Sequence, residues 1–132
     1  MDTIAQTEAF LGHIFTGDMA AAQAMIAPEA RFIGARPEPA AENPLFGTFL
    51  GPEGAAEFFT RFGALIEPGG FEIQGKIGDA AGACFYGRFR HTVRATGKPF
   101  PSDWALVTRF EGGKLVFYHF YEDTAALMAA MA

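Results

Sequence analysis

The chain of 132 residues contains one cysteine, Cys84, so no internal disulfide can form and no thiolate metal-ligand spacing exists. Its histidines, His13, His91 and His119, are scattered, and no two stand at a spacing that would ligate one metal ion. Neither a metal nor a cofactor is therefore expected. Positive charge is sparse. No run of Lys or Arg occurs and the formal net charge is −5, which argues against nucleic acid or an anionic membrane as partner. The opening MDTIAQTEAF has no basic stretch ahead of an apolar one, and no hydrophobic run approaches membrane-spanning length. These absences lead to the expectation of a soluble, cytoplasmic protein, folded as one domain over residues 1–132.

Core material is abundant: half the residues are hydrophobic and 15 are phenylalanine. Thr3 and Gln6 have the spacing of a capping box, with Asp2 as an alternative cap, ahead of a helix carrying Ile4, Phe10, Leu11, Ile14 and Phe15. Asp18 can cap a second helix, Met19 to Ala27, stopped by Pro28, before a short strand from Ala30 to Ala35. Residues 36–49 hold three prolines and little periodicity, as in a long binding loop or lid. Gly51-Pro52-Glu53 opens the clearest helix, with Ala55, Phe58, Phe59, Phe62, Leu65 and Ile66 in one apolar stripe. Strands follow. Phe71, Ile73 and Ile77 alternate with polar residues, predicting one wet face. Along 83–95, Phe85, Phe89, His91 and Val93 share one face while Tyr86, Arg88, Arg90 and Arg94 share the other. Two further strands are joined by a hairpin turn at Gly112-Gly113. In the last strand, Leu115, Phe117, His119 and Tyr121 lie opposite Val116, Tyr118 and Phe120, so both faces need cover. Asp123 caps a final helical run. Helices followed by successive antiparallel strands make an α+β layout.

Four segments in this order, GTFLGPEGAAEFF at 47–59, TGKPF at 96–100, DWA at 103–105 and GGKL…YEDTAAL at 112–127, resemble one known group. It is the nuclear transport factor 2-like superfamily, in particular its SnoaL-like, ketosteroid-isomerase-related branch. The resemblance implies a cone: a strongly curved antiparallel or mixed β-sheet wrapped around the N-terminal helices. It also implies an apolar pocket inside, and often a homodimer through the outer sheet face. That pocket would be lined by Phe10, Ile14, Phe32, Phe58 and Phe62, and on the sheet by Phe89, Trp104, Leu106 and Phe120. Arg36 on the Pro-rich loop and Glu122 at a strand end would stand near its mouth. The positions matching the donors and base of ketosteroid isomerases carry Phe10, Leu106 and Gly34, and that of the SnoaL cyclase acid/base carries Phe120. An epoxide hydrolase's Arg-x-Asp pair has Arg88-x-Arg90 in its place. None of these side chains performs the matching proton chemistry.

His91 is the residue that could. An imidazole on the apolar face is either a general base with a depressed pKa or a structural histidine bonded to a neighbour. Tyr118 could orient a carbonyl, or be core with a satisfied hydroxyl. Glu122 is either a functional carboxylate or a solvated strand end. Arg88, Arg90 and Arg94 are expected to pair with acids across strands or across a dimer interface. Two functional expectations result. The missing carboxylates favour a module that binds a small hydrophobic molecule without turnover. His91 favours a cofactor-free isomerase or cyclase acting on a small carbonyl compound.

Overall fold

The computed structural model describes residues 2–132. Helix α1 (Thr3–Phe15) is capped by Asp2, whose Oδ1 accepts from the Ala5 amide at 2.7 Å. The capping box expected of Thr3 does not form. Its buried hydroxyl lies 2.7 and 2.9 Å from the carbonyl oxygens of Asp79 and Gly82, tying the helix to a turn of the sheet. Helix α2 (Met19–Ala24), capped by Asp18, is shorter than the proline suggested. Strand β1 (Ile26–Gly34) has already begun at Ile26, and Pro28 lies inside it. It sits in the irregular stretch between Ile26 and Arg31, where β1 has no partner and a missing N–H costs nothing.

The loop from residue 35 to 47 is pinned by Asn43, fully buried, whose Oδ1 accepts from the Leu45 amide. Strand β2 (Thr48–Leu50) then leads into α3 (Gly51–Leu65), and β3 (Ile66–Glu67) follows directly. Strands β4 (Glu72–Gly78), β5 (Gly82–Val93), β6 (Pro99–Glu111) and β7 (Lys114–Glu122) complete the sheet. Helix α4 (Thr124–Met131) is capped by Asp123, which accepts from the Ala126 amide at 3.0 Å.

The sheet is curled and mixed, in the order β2-β1-β7-β6-β5-β3, with β4 also paired to β5. The β1–β7 pair is parallel and the others are antiparallel. This is the expected α+β architecture. Alternation along β5 and β6 holds: Phe85, Phe89, His91, Trp104 and Leu106 are all buried on the inner face. Two patterns differ from expectation. On β4 both faces are exposed, because it is an outer segment with a bulge between Ile73 and Gly75. On β7 an irregularity opposite Arg109 and Phe110 inserts Val116 as an extra residue. It turns Leu115 into the core and leaves Phe117, His119 and Tyr121 on the outer face.

Candidate functional site

The helices do not fill the curl of the sheet completely. A cavity of about 530 Å³ remains between α1, α3, the 35–47 loop and the inner faces of β5 and β7. Its wall is mostly apolar, and Ile14, Phe58, Phe62 and Phe120 line it as expected. Phe10, Phe32, Phe89, Trp104 and Leu106 do not reach it. They form the packed layer behind, each no more than 4% exposed. Arg36 is also outside the cavity; its Nε donates to the Glu38 carbonyl and its guanidinium lies over Phe46. Leu45 and Phe46 bring the Pro-rich loop over the cavity as a roof; the sequence marks the loop as a binding loop or lid without singling out these two residues.

Four ionisable side chains reach this wall, His91, Arg94, Tyr118 and Glu122, together with the hydroxyl residue Thr60. The His91 ring stacks on Phe89 at 3.7 Å, and its Nδ1 accepts the Gly69 amide at 3.0 Å. That bond leaves the proton of the neutral ring on Nε2. Burial draws the His91 pKa down to about 4, so the ring is neutral near pH 7 and free to accept the Gly69 amide. His91 is thus held by a neighbour, as in the structural alternative, and its ring also lines the cavity.

Tyr118 is packed against Phe32, with centroids 4.8 Å apart, and against the edges of Phe10, Phe58 and Phe59. Burial first, and the charge of Glu122 second, push its phenol well above the usual value, so it remains a donor. Glu122 is the unusual group. Burial pushes its carboxyl up to about 7, within the range where an acid both gives and takes a proton at neutral pH. It lies two residues beyond Phe120 on the same face of β7. A carboxyl group therefore faces the cavity beside the aromatic ring of Phe120.

Register orders these groups along the wall. Tyr118 is level with Thr108 and Ala83, Glu122 with Trp104 and Gly87, and His91 with Phe100. Ala83 and His91 are eight residues apart on β5, roughly 26 Å of strand path. His91 and Tyr118 therefore stand towards opposite ends, and Glu122 lies between them. Arg94 departs furthest from expectation. Parity put it on the outer face, but β5 ends at Val93 and alternation lapses in the turn that follows. Its Nε donates to the Gly63 carbonyl at 2.8 Å, drawing the side chain to the cavity rim. Arg88 and Arg90 stay exposed and form no ion pair among the described residues, although Glu72 and Asp103 flank Arg88 across the strands. Cys84 is remote from the cavity.

No group of three or more His, Cys, Asp or Glu suited to a metal occurs among the described residues. No helix among them is long and apolar enough to cross a membrane.

The family model described as SnoaL-like domain matches residues 7–118. Over 78 residues the chain is 33% identical to patulin synthesis protein F of Aspergillus clavatus, a match covering 58% of this chain and 39% of that protein. The chain thus spans well under half of that curated relative's length. An NTF2-like protein of Burkholderia xenovorans superposes with a TM-score of 0.87 at 21% identity, over 98% of this chain and 95% of that one. TerC co-crystallised with polyporic acid gives a TM-score of 0.77 at 19% identity, over 98% and 97% of the two chains. Structural likeness at these identities carries the fold alone.

Proposed function

The chain belongs to the SnoaL-like domain family, and from that premise we propose that its cavity binds a small hydrophobic carbonyl compound on which Glu122 moves a proton. The observation that carries this reading is Glu122 itself, a half-buried residue in an apolar wall whose carboxyl pKa is raised to about 7. In the step proposed, the ionised carboxylate takes a proton from the carbon next to the carbonyl. The C–H electron pair moves into the C–C bond, and the carbonyl oxygen becomes an enolate oxygen. Tyr118, held protonated, donates a hydrogen bond to that oxygen. Where the compound carries a β,γ double bond the enolate is a dienolate, and return of the proton from Glu122 to the γ-carbon, with the double bond moving to α,β, completes an isomerisation. No cofactor or metal enters the step. The patulin synthesis relative and the polyporic acid of TerC support a small organic metabolite as the ligand class.

The test is deuterium exchange at the α-carbon of 2-tetralone in D2O, followed by NMR with wild type and Glu122→Gln. Wild type should accelerate exchange by about 10²–10⁴-fold over the variant. Equal rates would leave the second reading, binding without turnover. Gly34, Leu106 and Phe120 at the family's proton-transfer positions support that reading. His91, neutral and anchored on Gly69, is proposed as a hydrogen-bond donor to the ligand through Nε2 rather than as the base.

We further propose that the outer sheet face meets a second copy of the chain. Tyr86 and Tyr121 flank Ala105 in one row there and are 43% and 44% exposed. Helix α4 leaves them uncovered, since its Leu127 and Ala130 pack into the core instead.

A further inference from the structure

We propose that Arg94 selects the ligand by charge, so that the cavity takes an apolar compound bearing a carboxylate, which the guanidinium holds at the rim. This rests on the reading of the cavity as a ligand site and adds the ligand's charged end. Arg94 is exposed and lies immediately after β5, where its amide donates to the Leu65 carbonyl at 2.9 Å. Its Nε donates to the Gly63 carbonyl at 2.8 Å. Both contacts are with the end of α3, and capping that helix accounts for them.

Capping does not account for the rest of the side chain. The ion pairs formed among the described residues are Arg61 with Glu57 and Lys76 with Glu8, so Arg94 has no carboxylate partner. With Nε fixed, the two Nη groups remain as a rigid pair of donors, the geometry that receives both oxygens of one carboxylate. They stand at the rim of a cavity whose other charge-bearing groups are His91, neutral near pH 7, and Glu122. Glu122 is level with Gly87, seven residues before Arg94 on the chain and roughly 20 Å away along the strand path. Arg94 and Glu122 thus enter the cavity wall at different levels of the sheet. The ligand's apolar body would then lie over Phe62 and Phe120, with its far end towards Glu122.

Calorimetric titration of the full chain at pH 7.5 with 2-naphthoate and with 2-acetylnaphthalene separates charge from shape. Wild type should bind the carboxylate about tenfold more tightly than the ketone, the size of one charge-assisted contact at a wet rim. Arg94→Gln should lose that preference while keeping its affinity for the ketone, which also reports that the variant is folded. Arg94→Lys should recover part of it. A wild type without preference for the carboxylate overturns the assignment, as does an Arg94→Gln variant that retains the preference. If the ketone binds and the carboxylate does not, only the role of Arg94 falls. If neither probe binds wild type, the reading of the cavity as a ligand site falls with it.

Discussion

Trp104 and Glu122 face each other in register across β6 and β7, and the Trp104 Nε1 is the one buried side-chain polar atom left without a hydrogen-bond partner among the described residues. The indole is held between Phe71 and Phe120, stacked at 4.7 and 5.3 Å. It is the chain's only tryptophan, so its emission reports the charge on the carboxyl opposite. Emission should change with a midpoint near pH 7 in wild type and stay flat through that range in Glu122→Gln. A wild type that shows no transition there would mean that Glu122 titrates as an ordinary solvated carboxylate.

Stability should show two opposed pH slopes. The Glu122 pKa is raised from 4.5 to about 7, so the folded state holds its proton longer than the unfolded chain does. Its contribution is complete below pH 4.5 and is lost as pH rises towards 7. The His91 pKa is lowered from 6.5 to about 4, so its contribution is complete above 6.5 and is lost as pH falls towards 4. Each amounts to roughly 3 kcal/mol at most, and between pH 4.5 and 6.5 they cancel. Urea unfolding of His91→Gln should therefore show stability falling with rising pH across this window, and Glu122→Gln the reverse. Parallel profiles for the two variants would contradict the assignment of both groups to the apolar wall.

Phenylalanine truncation should separate packed core from cavity wall. Phe32 is fully buried beneath Tyr118, and Phe32→Ala should cost about 3–5 kcal/mol. Phe62 is partly buried and borders the cavity, so Phe62→Ala should cost well under half as much and enlarge the binding space instead. Melting temperatures of the two variants are the measurement, and equal losses would mean that Phe62 is core.

Tyr86 and Tyr121 give the quaternary prediction. Wild type should sediment as a dimer at micromolar concentration, and the double change Tyr86→Lys with Tyr121→Lys should give a folded monomer. Desolvating two lysines against their symmetry mates opposes association. A monomeric wild type ends the proposal.

The periodic parts of this fold are legible in the sequence. Strict alternation on β5 places His91 inward, and the stripe on α3 places Phe58 and Phe62 against the sheet. Legibility fails where the backbone breaks its period. The bulge at Val116 moves Leu115 to the other face, and Arg94 lies one residue past the strand whose parity would have put it outside. Depth also escapes a parity argument. Phe10, Phe89 and Leu106 point inward as expected, yet whether an inward side chain touches packed core or open space depends on how closely a helix approaches. Glu122 was visible as a residue on the right face. The burial that raises its pKa comes from contacts distant in the chain.

Along its outer edge, β5 is not paired continuously. β4 covers it as far as Arg88 and β3 resumes at Thr92, so residues 89–91 have no strand beside them. Gly69 bridges the gap alone: its carbonyl receives the Arg90 amide, and its own N–H goes to the His91 ring. An imidazole here does the work of a neighbouring strand's carbonyl. A protonated ring carries N–H on both nitrogens and can no longer accept, so acid would set two donors against each other and unfasten one half of the bridge. Pro68 and Phe71, which flank this seam, belong to the cavity wall. Acid should therefore loosen this seam, and the protection factor of the Gly69 amide, with the intrinsic pH dependence of exchange divided out, should fall as the His91 ring takes up its proton.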